Sequence, residues 1–266
     1  MTRAPATPRQ DTQRTLTLLS CNILAGGSVK RYRDYVTHSW KHVLPHGKRE
    51  NLDDLARLLG DFDLVALQEA DAGSLRSGFL NQTQYLAQAA RFPYWMHQPN
   101  RRVSKLATSS NGLLARDEPA EVLDYPLPGR IPGRGALWAR FGEGDDALVV
   151  VVAHLSLGAQ ARARQVAFLA ELLGAQKNAV LMGDLNTSAH SPELETLYAR
   201  TRLAPPEQPP ATFPSWRPKR AIDHILVSSG IEVEQRWALP HPVSDHLPIA
   251  ARVRLPASGR TTRSHT

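Results

Sequence analysis

The chain has 266 residues, 42% of them hydrophobic, and a formal net charge of +7. That length suits one large domain or two small ones, and that apolar share excludes a disordered body. A single cysteine, Cys21, excludes a disulfide framework and most thiolate metal sites.

Residues 1–14 are rich in Pro, Thr and Arg and hold no apolar stretch of the kind a secretory leader needs. They read as a disordered basic tail, as do residues 256–266. The expected location is cytoplasmic, with no transmembrane segment. The first tail holds three arginines and one aspartate and the last two arginines, so the body keeps +3. That balance suits a phosphate substrate or a polyanionic partner. Residues 15–255 show no linker and no internal repeat, and one domain is the simplest account.

Residues 15–22 predict the first strand, ending at Asn22. The stretch 28–50 then sets Lys30, Arg31, Arg33, Lys41, Lys48 and Arg49 beside Tyr32, Tyr35 and Trp40. Such a mixture can grip phosphates and bases, lie on an anionic membrane, or form a solvated insertion. His38 and His42 stand four apart, but Pro45 takes His46 out of line and nothing nearby completes a zinc site. Residues 48–59 have the apolar spacing of a helix, and Leu64-Val65-Ala66-Leu67 reads as a strand leading to Glu69. The polar loop 71–78 carries Arg76, a candidate phosphate contact. A helix is expected over 79–90. The segments 111–116 and 135–140 are expected as two adjacent antiparallel strands joined by a turn-rich connection. Asn111 and Arg134, at their starts, join Arg76 as candidate substrate-binding residues.

Residues 147–153 predict a buried strand ending at His154, and 159–173 a helix. The run Ala179-Val180-Leu181-Met182-Gly183-Asp184-Leu185-Asn186 predicts a strand that ends in a carboxylate and an amide two residues apart. Ser191 and Pro192 mark the start of another helix. Residues 204–218 read as a Pro-rich loop packed by Phe213 and Trp216. Strands at 221–228 and about 249–255 close the chain.

Six strand-like segments thus border Asn22, Glu69, His154, Asp184 with Asn186, Asp223, and Asp245 with His246. Any one of these is what the beginning of a loop looks like. Together they offer hard oxygen donors, which suit Mg²⁺ or Mn²⁺, and imidazoles that bind phosphate or move protons. A hard cation, histidines and a basic body point to phosphoester hydrolysis.

These residues resemble the endonuclease/exonuclease/phosphatase superfamily related to deoxyribonuclease I. The matching stretches are Cys21-Asn22-Ile23, Leu67-Gln68-Glu69, Asn111-Gly112-Leu113-Leu114, Ala153-His154-Leu155, Gly183-Asp184-Leu185-Asn186, Ile222-Asp223-His224-Ile225 and Ser244-Asp245-His246-Leu247-Pro248. They span roughly residues 16–255. Thr212-Phe213-Pro214-Ser215-Trp216 resembles bacterial members, whose substrates are often unassigned.

The resemblance implies a four-layer αββα sandwich of two mixed, mostly antiparallel sheets packed face to face with helices outside. It implies Glu69 as principal Mg²⁺ (or Mn²⁺) ligand with Asn22 and Asp245 near the metal, and Asp184 orienting or deprotonating water. It further implies Asn186 on the phosphate or the water, His154 donating to a phosphate oxygen, and His246 as base or phosphate binder oriented by Asp223. Ala153-His154-Leu155 is similar to the phosphatase, sphingomyelinase and deadenylase branches rather than the abasic-site endonucleases. Leu24 replaces an acidic residue that many members carry, which argues against a second metal.

The expectation is a monomeric Mg²⁺-dependent phosphoesterase, with nucleic acid preferred as substrate. A phospholipid, phosphoinositide or small phosphodiester is the alternative. Peripheral contact with an anionic membrane would run through 28–50. An inactive nucleic-acid or membrane-binding protein on the same fold is the alternative of another class.

Overall fold

A computed structural model describes residues 13–24, 48–73, 79–103, 107–129 and 133–257. Arg76, the three histidines at 38, 42 and 46, both tails up to residue 12 and from 258, and all but the last three residues of the 28–50 segment lie outside the described residues. Twelve strands are β1 (Thr15–Asn22), β2 (Leu64–Asp71), β3 (Tyr94–Val103), β4 (Ala107–Ala115), β5 (Glu121–Pro126), β6 (Gly135–Phe141), β7 (Leu148–His154), β8 (Asn178–Asp184), β9 (Leu203–Ala204), β10 (Asp223–Ser228), β11 (Glu232–Ala238) and β12 (Ile249–Arg254). The helices are α1 (Lys48–Leu59), α2 (Gln82–Ala89), α3 (Ala159–Leu173) and α4 (Pro192–Arg200).

The strands form two six-stranded sheets, in the orders β11-β12-β1-β2-β4-β3 and β5-β6-β7-β8-β10-β9. Alternation along each strand sorts its side chains. Leu16, Leu18, Leu64, Ala66, Val150, Val152, Val180, Met182 and Ile225 pack between the sheets. Their chain neighbours Leu19, Cys21, Val65 and Leu67 pack under Leu52, Leu55, Leu59 and Leu86 of α1 and α2. Val149, Val151, Ala179 and Leu181 pack under Val166, Leu169, Leu173, Leu194 and Leu197 of α3 and α4. Central strands covered on both faces need unbroken apolar runs, which is why Leu148–Ala153 carries no polar residue. The result is the expected four-layer sandwich.

Each sheet holds one parallel pair, β1 with β2 and β7 with β8. A parallel pair needs a crossover, and α1 and α3 lie within those two connections. Parallel strands end on the same rim, so Asn22 and the end of β2 lie together, as do His154 and Asp184. Strand β10 runs antiparallel to β8, which sets its first residue, Asp223, opposite Asp184. Strand β12 runs antiparallel to β1 with Ile249 opposite Ser20, so residues 244–248 lead in past Asn22.

The helices at 48–59 and 159–173 match expectation, and α4 begins after Ser191, although its hydroxyl makes no capping hydrogen bond. The helix expected over 79–90 is shorter, because Asn81 accepts from the Gln84 amide at 3.1 Å and starts the helix there. The segments 111–116 and 135–140 do not pair. Strands β4 and β6 lie in opposite sheets, with Leu113 facing Leu137 and Ala139 across the core. Four strands went unforeseen, β3, β5, β9 and β11, and each is a sheet edge. Edges carry polar residues and Pro, here Pro99 in β3, and lose the apolar pattern that marks a strand.

One buried cation ties the two outer helices of the second sheet. Arg162 on α3 donates from Nε and Nη2 to Glu193 on α4 at 2.7 and 2.9 Å. The same guanidinium donates to the carbonyls of Ser156 and Leu157, just after β7. The Arg162 hydrogen bonds hold the Glu193 carboxyl below its usual value. A depressed carboxylate pKa gives stability that is present at neutral pH and lost as pH falls through the folded pKa. Glu193→Gln is expected to cost about 1–3 kcal/mol at pH 7. In urea titrations the gap from the parent should narrow as pH drops through the carboxylate range.

Candidate active site

The parity that builds the core also aims the rim residues. Asn22, His154, Asp184 and Asp223 continue the alternation of Leu18, Val152, Met182 and Ile225, so all four point between the sheets. His154 stands in register with Asp184, and Asp184 with Asp223, giving a row of three across one sheet. Glu69 has the wrong parity, since Val65 and Leu67 face the helices. A bulge between Leu67 and Ala70, with Glu69 at φ 57°, reverses it. Its carboxylate then comes within 3.9 Å of His154 Nε2.

Asp184 is the hub. Asn22 Nδ2 donates to its Oδ2 at 3.3 Å from the opposite sheet, and the backbone N–H of Asn186 donates to Oδ1 at 3.0 Å. His154 Nε2 and His246 Nε2 stand 3.4 and 3.8 Å from the same Oδ2. Asn186 is held at φ 53°, and its side-chain amide donates to the Leu155 carbonyl at 2.9 Å. Behind His246, Nδ1 faces both oxygens of Asp223 at 2.8 and 3.0 Å. Thr212 Oγ1 donates to Asp223 Oδ2, and the Phe213 ring lies 4.9 Å from the imidazole. Ser244 Oγ donates to the Asn22 carbonyl at 2.6 Å, joining the His246 loop to the end of β1.

Burial and charge set the protonation states. Burial pushes the Asp184 carboxyl up, and the Asp223 charge adds to this, against weaker opposition from His246 and two hydrogen bonds. Burial alone would lower the His246 imidazole, but Asp223, Asp184 and Asp245 outweigh it and raise the pKa to about 9. Burial lowers His154 well below its ordinary value, and Arg134 and His246 push the same way. One imidazole is therefore cationic near neutral pH and the other neutral.

Every predicted metal-ligand and catalytic residue lies among the described residues. Asn22, His154, Asp184, Asp223 and His246 are buried, while Glu69, Asn186 and Asp245 are half-buried at the rim. Among the described residues, Asp184, Asp223 and His246 each place a potential ligand atom within 4.8 Å of the others. Arg134 is half-buried and acts on His154. Asn111 does not sit at the surface as a substrate contact would. It is fully buried and donates to the Gly135 carbonyl at 2.8 Å, a strut between β4 and β6. Thr212 and Phe213 support the His–Asp pair, a role beyond the loop packing expected of Phe213. A hydroxyl and an aromatic eleven and ten positions before Asp223 carry no periodic signal of such contacts.

A hard cation fits this arrangement. Four carboxylates, Glu69, Asp184, Asp223 and Asp245, stand near one cationic and one neutral imidazole. Burial first, and then the Asp223 charge, raise the Asp184 carboxyl, so a bound cation would relieve both. Carboxylate and amide oxygens are donors that a divalent metal ion takes.

The sequence profile of the Endonuclease/Exonuclease/phosphatase family matches residues 19–246. No curated protein matches the chain by sequence. Among solved structures, an endonuclease/exonuclease/phosphatase family protein from Bacteroides thetaiotaomicron is 18% identical, with TM-score 0.68, covering 92% of this chain and 99% of that one. A mannosyl-6-phosphatase from Bacteroides thetaiotaomicron VPI-5482 is 19% identical, with TM-score 0.65, over 90% and 99%. A humanized D. rerio TDP2 carrying 14 mutations is 15% identical, with TM-score 0.62, over 90% and 98%.

Gly183 fixes the spacing of the row. Its φ is 147°, and a Cβ there would fall 1.8 Å from the Ala153 carbonyl oxygen on β7. Gly183→Ala is expected to force β7 and β8 apart at the rim and to cost about 1–3 kcal/mol or more. Chemical denaturation measures that loss. An unchanged midpoint would show that the contact between the two strands gives way freely.

Proposed function

The chain belongs to the endonuclease/exonuclease/phosphatase family, metal-dependent hydrolases of phosphoester bonds, and from that premise we propose that it cleaves a phosphodiester by Mg²⁺-dependent attack of water. The observation that carries this reading is the buried Asp184 carboxylate, within reach of two imidazoles and two amide donors where both parallel strand pairs end. A polynucleotide is the preferred substrate, on the strength of the basic body.

In this reading Asp184 orients the attacking water and takes its proton, a task suited to a carboxyl raised by burial. His246 is the cation of the site. Asp223 holds its Nδ1–H, so Nε2–H is aimed at the rim to donate to a phosphoryl oxygen as charge builds there. This favours phosphate binding over base catalysis for His246. His154, kept neutral, donates to a second phosphoryl oxygen. Asn186 gives one amide hydrogen to Leu155 and keeps the other for the phosphate or the water. Glu69, Asn22 and Asp245 would hold the divalent ion, because Asp223 is already committed to His246 and Thr212. That ion would supply Lewis-acid charge neutralisation at the phosphoryl group.

A phosphomonoester is the second reading, since one neighbour with the same fold is a mannosyl-6-phosphatase. The protein would act inside the cell. Among the described residues, no helix is long and apolar enough to cross a membrane.

Hydrolysis of a chromogenic phosphodiester is expected to need Mg²⁺ or Mn²⁺ and to stop in chelator; equal turnover with chelator would remove the metal from the scheme. His246→Ala and Asp184→Asn are each expected to cut kcat by about 10²–10⁴-fold or more. Their circular dichroism spectra should match the parent. Variants that retained parental kcat would strip both residues of their roles.

A further inference from the structure

Beside His246 stands a loop that the chemistry above does not use. Residues 213–220 close as a tight turn. The amides of Thr212 and Phe213 donate to the Arg220 carbonyl at 2.9 and 3.0 Å, and those of Lys219 and Arg220 donate back to the Phe213 carbonyl at 3.0 Å. The loop is fastened to the site at its base. Ser215 donates from its amide to the Asp245 carbonyl at 2.7 Å and from its hydroxyl to the Ser244 carbonyl at 2.8 Å.

This rigid loop carries a concentrated charge. Arg217, Lys219 and Arg220 fall within four residues, and no Asp or Glu occurs between Glu207 and Asp223. All three side chains are exposed, and no described carboxylate forms an ion pair with any of them. The Arg220 guanidinium lies 5.7 Å over the Phe213 ring, and that ring lies 4.9 Å from His246. Imidazole, phenyl and guanidinium thus follow one another outward from the reacting centre. A solvated charge run has no reason to be pinned by hydrogen bonds to the His246 loop.

We propose that the 213–220 loop binds further backbone phosphates of a single-stranded polynucleotide, on the His246 side of the scissile one. The inference rests on the phosphodiesterase reading above and names its substrate class. The scissile phosphate is already served by His154, His246 and Asn186, so three more cations exceed what one phosphate needs. A polynucleotide supplies anions at regular spacing along its backbone. A membrane surface fits less well, because the loop exposes no large apolar side chain to enter lipid.

Binding tests this without turnover. The probe is a fluorescent phosphorothioate single strand of about a dozen nucleotides, long enough for a groove of this type. Its affinity is measured by anisotropy in chelator at several salt concentrations. In Arg217→Ala/Lys219→Ala, loss of two phosphate contacts should flatten the slope of log affinity against log salt by roughly 1–1.5. The charge reversal Arg217→Glu/Lys219→Glu should flatten it further, with thermal melts confirming that both variants fold. An unchanged slope in both variants overturns the proposal. So does an unchanged slope accompanied by lost binding to phosphoinositide vesicles, which would assign the loop to lipid. With Mg²⁺, the double alanine variant should lower the ratio of kcat/KM for a tetranucleotide, which has two phosphates beyond the scissile one, over a dinucleotide by about tenfold. If the parent cleaves neither substrate, the phosphodiesterase reading falls, and the salt slope still decides the loop.

Discussion

A carboxylate removed from water must find partners or give up its charge, and in this chain Asp184 meets that constraint with groups from both sheets. Asn22 reaches it from β1, His154 from β7, and the Asn186 amide from its own turn. These partners leave it buried, polarised and with an elevated pKa, which is the state a proton acceptor for water needs. The sandwich serves this arrangement. Two parallel pairs, one per sheet, end on one rim, and the alternation that packs leucines and valines below turns the polar tips toward each other above.

The site is graded from neutral to cationic along the second sheet. His154 at one end of the row stays uncharged, while Asp223 at the other end, with Thr212 and Phe213, braces the charged His246 that leans in from the loop before β12. Beyond His246 the charge continues outward into Arg217, Lys219 and Arg220. Glu69 stands beside His154 at the far end, a carboxylate suited to a cation, while this basic end suits an anion. Opposite charges separated in this way would orient a phosphoester as well as attract it.

Much of this was legible in the sequence because the central strands are apolar on both faces and end abruptly. Leu148–Ala153 followed by His154, and Ala179–Met182 followed by Gly183 and Asp184, leave little freedom in where the strands stop. Family resemblance supplied the assembly of the tips, which strand ends alone do not dictate. The edge strands were invisible for the converse reason: β5 is exposed along nearly its whole length, and β11 alternates charges. Asn111, a polar residue at the start of an apolar run, looks from sequence like a tip, and its buried side-chain nitrogen donates to the Gly135 carbonyl that opens β6. The backing of His246 by Thr212 was hidden as well, since a loop with no periodicity gives no sign of what its hydroxyl touches.

The bulge in β2 has an implication for how such proteins can change their occupation. One extra residue is all that separates a Glu69 turned toward the reacting centre from one turned under the helices. Replacement of Glu69 alone would leave the bulge and the apolar layers intact, yet would take the carboxylate from the rim. A lineage could in this way silence the chemistry and keep the scaffold, through a single codon rather than a reworked core.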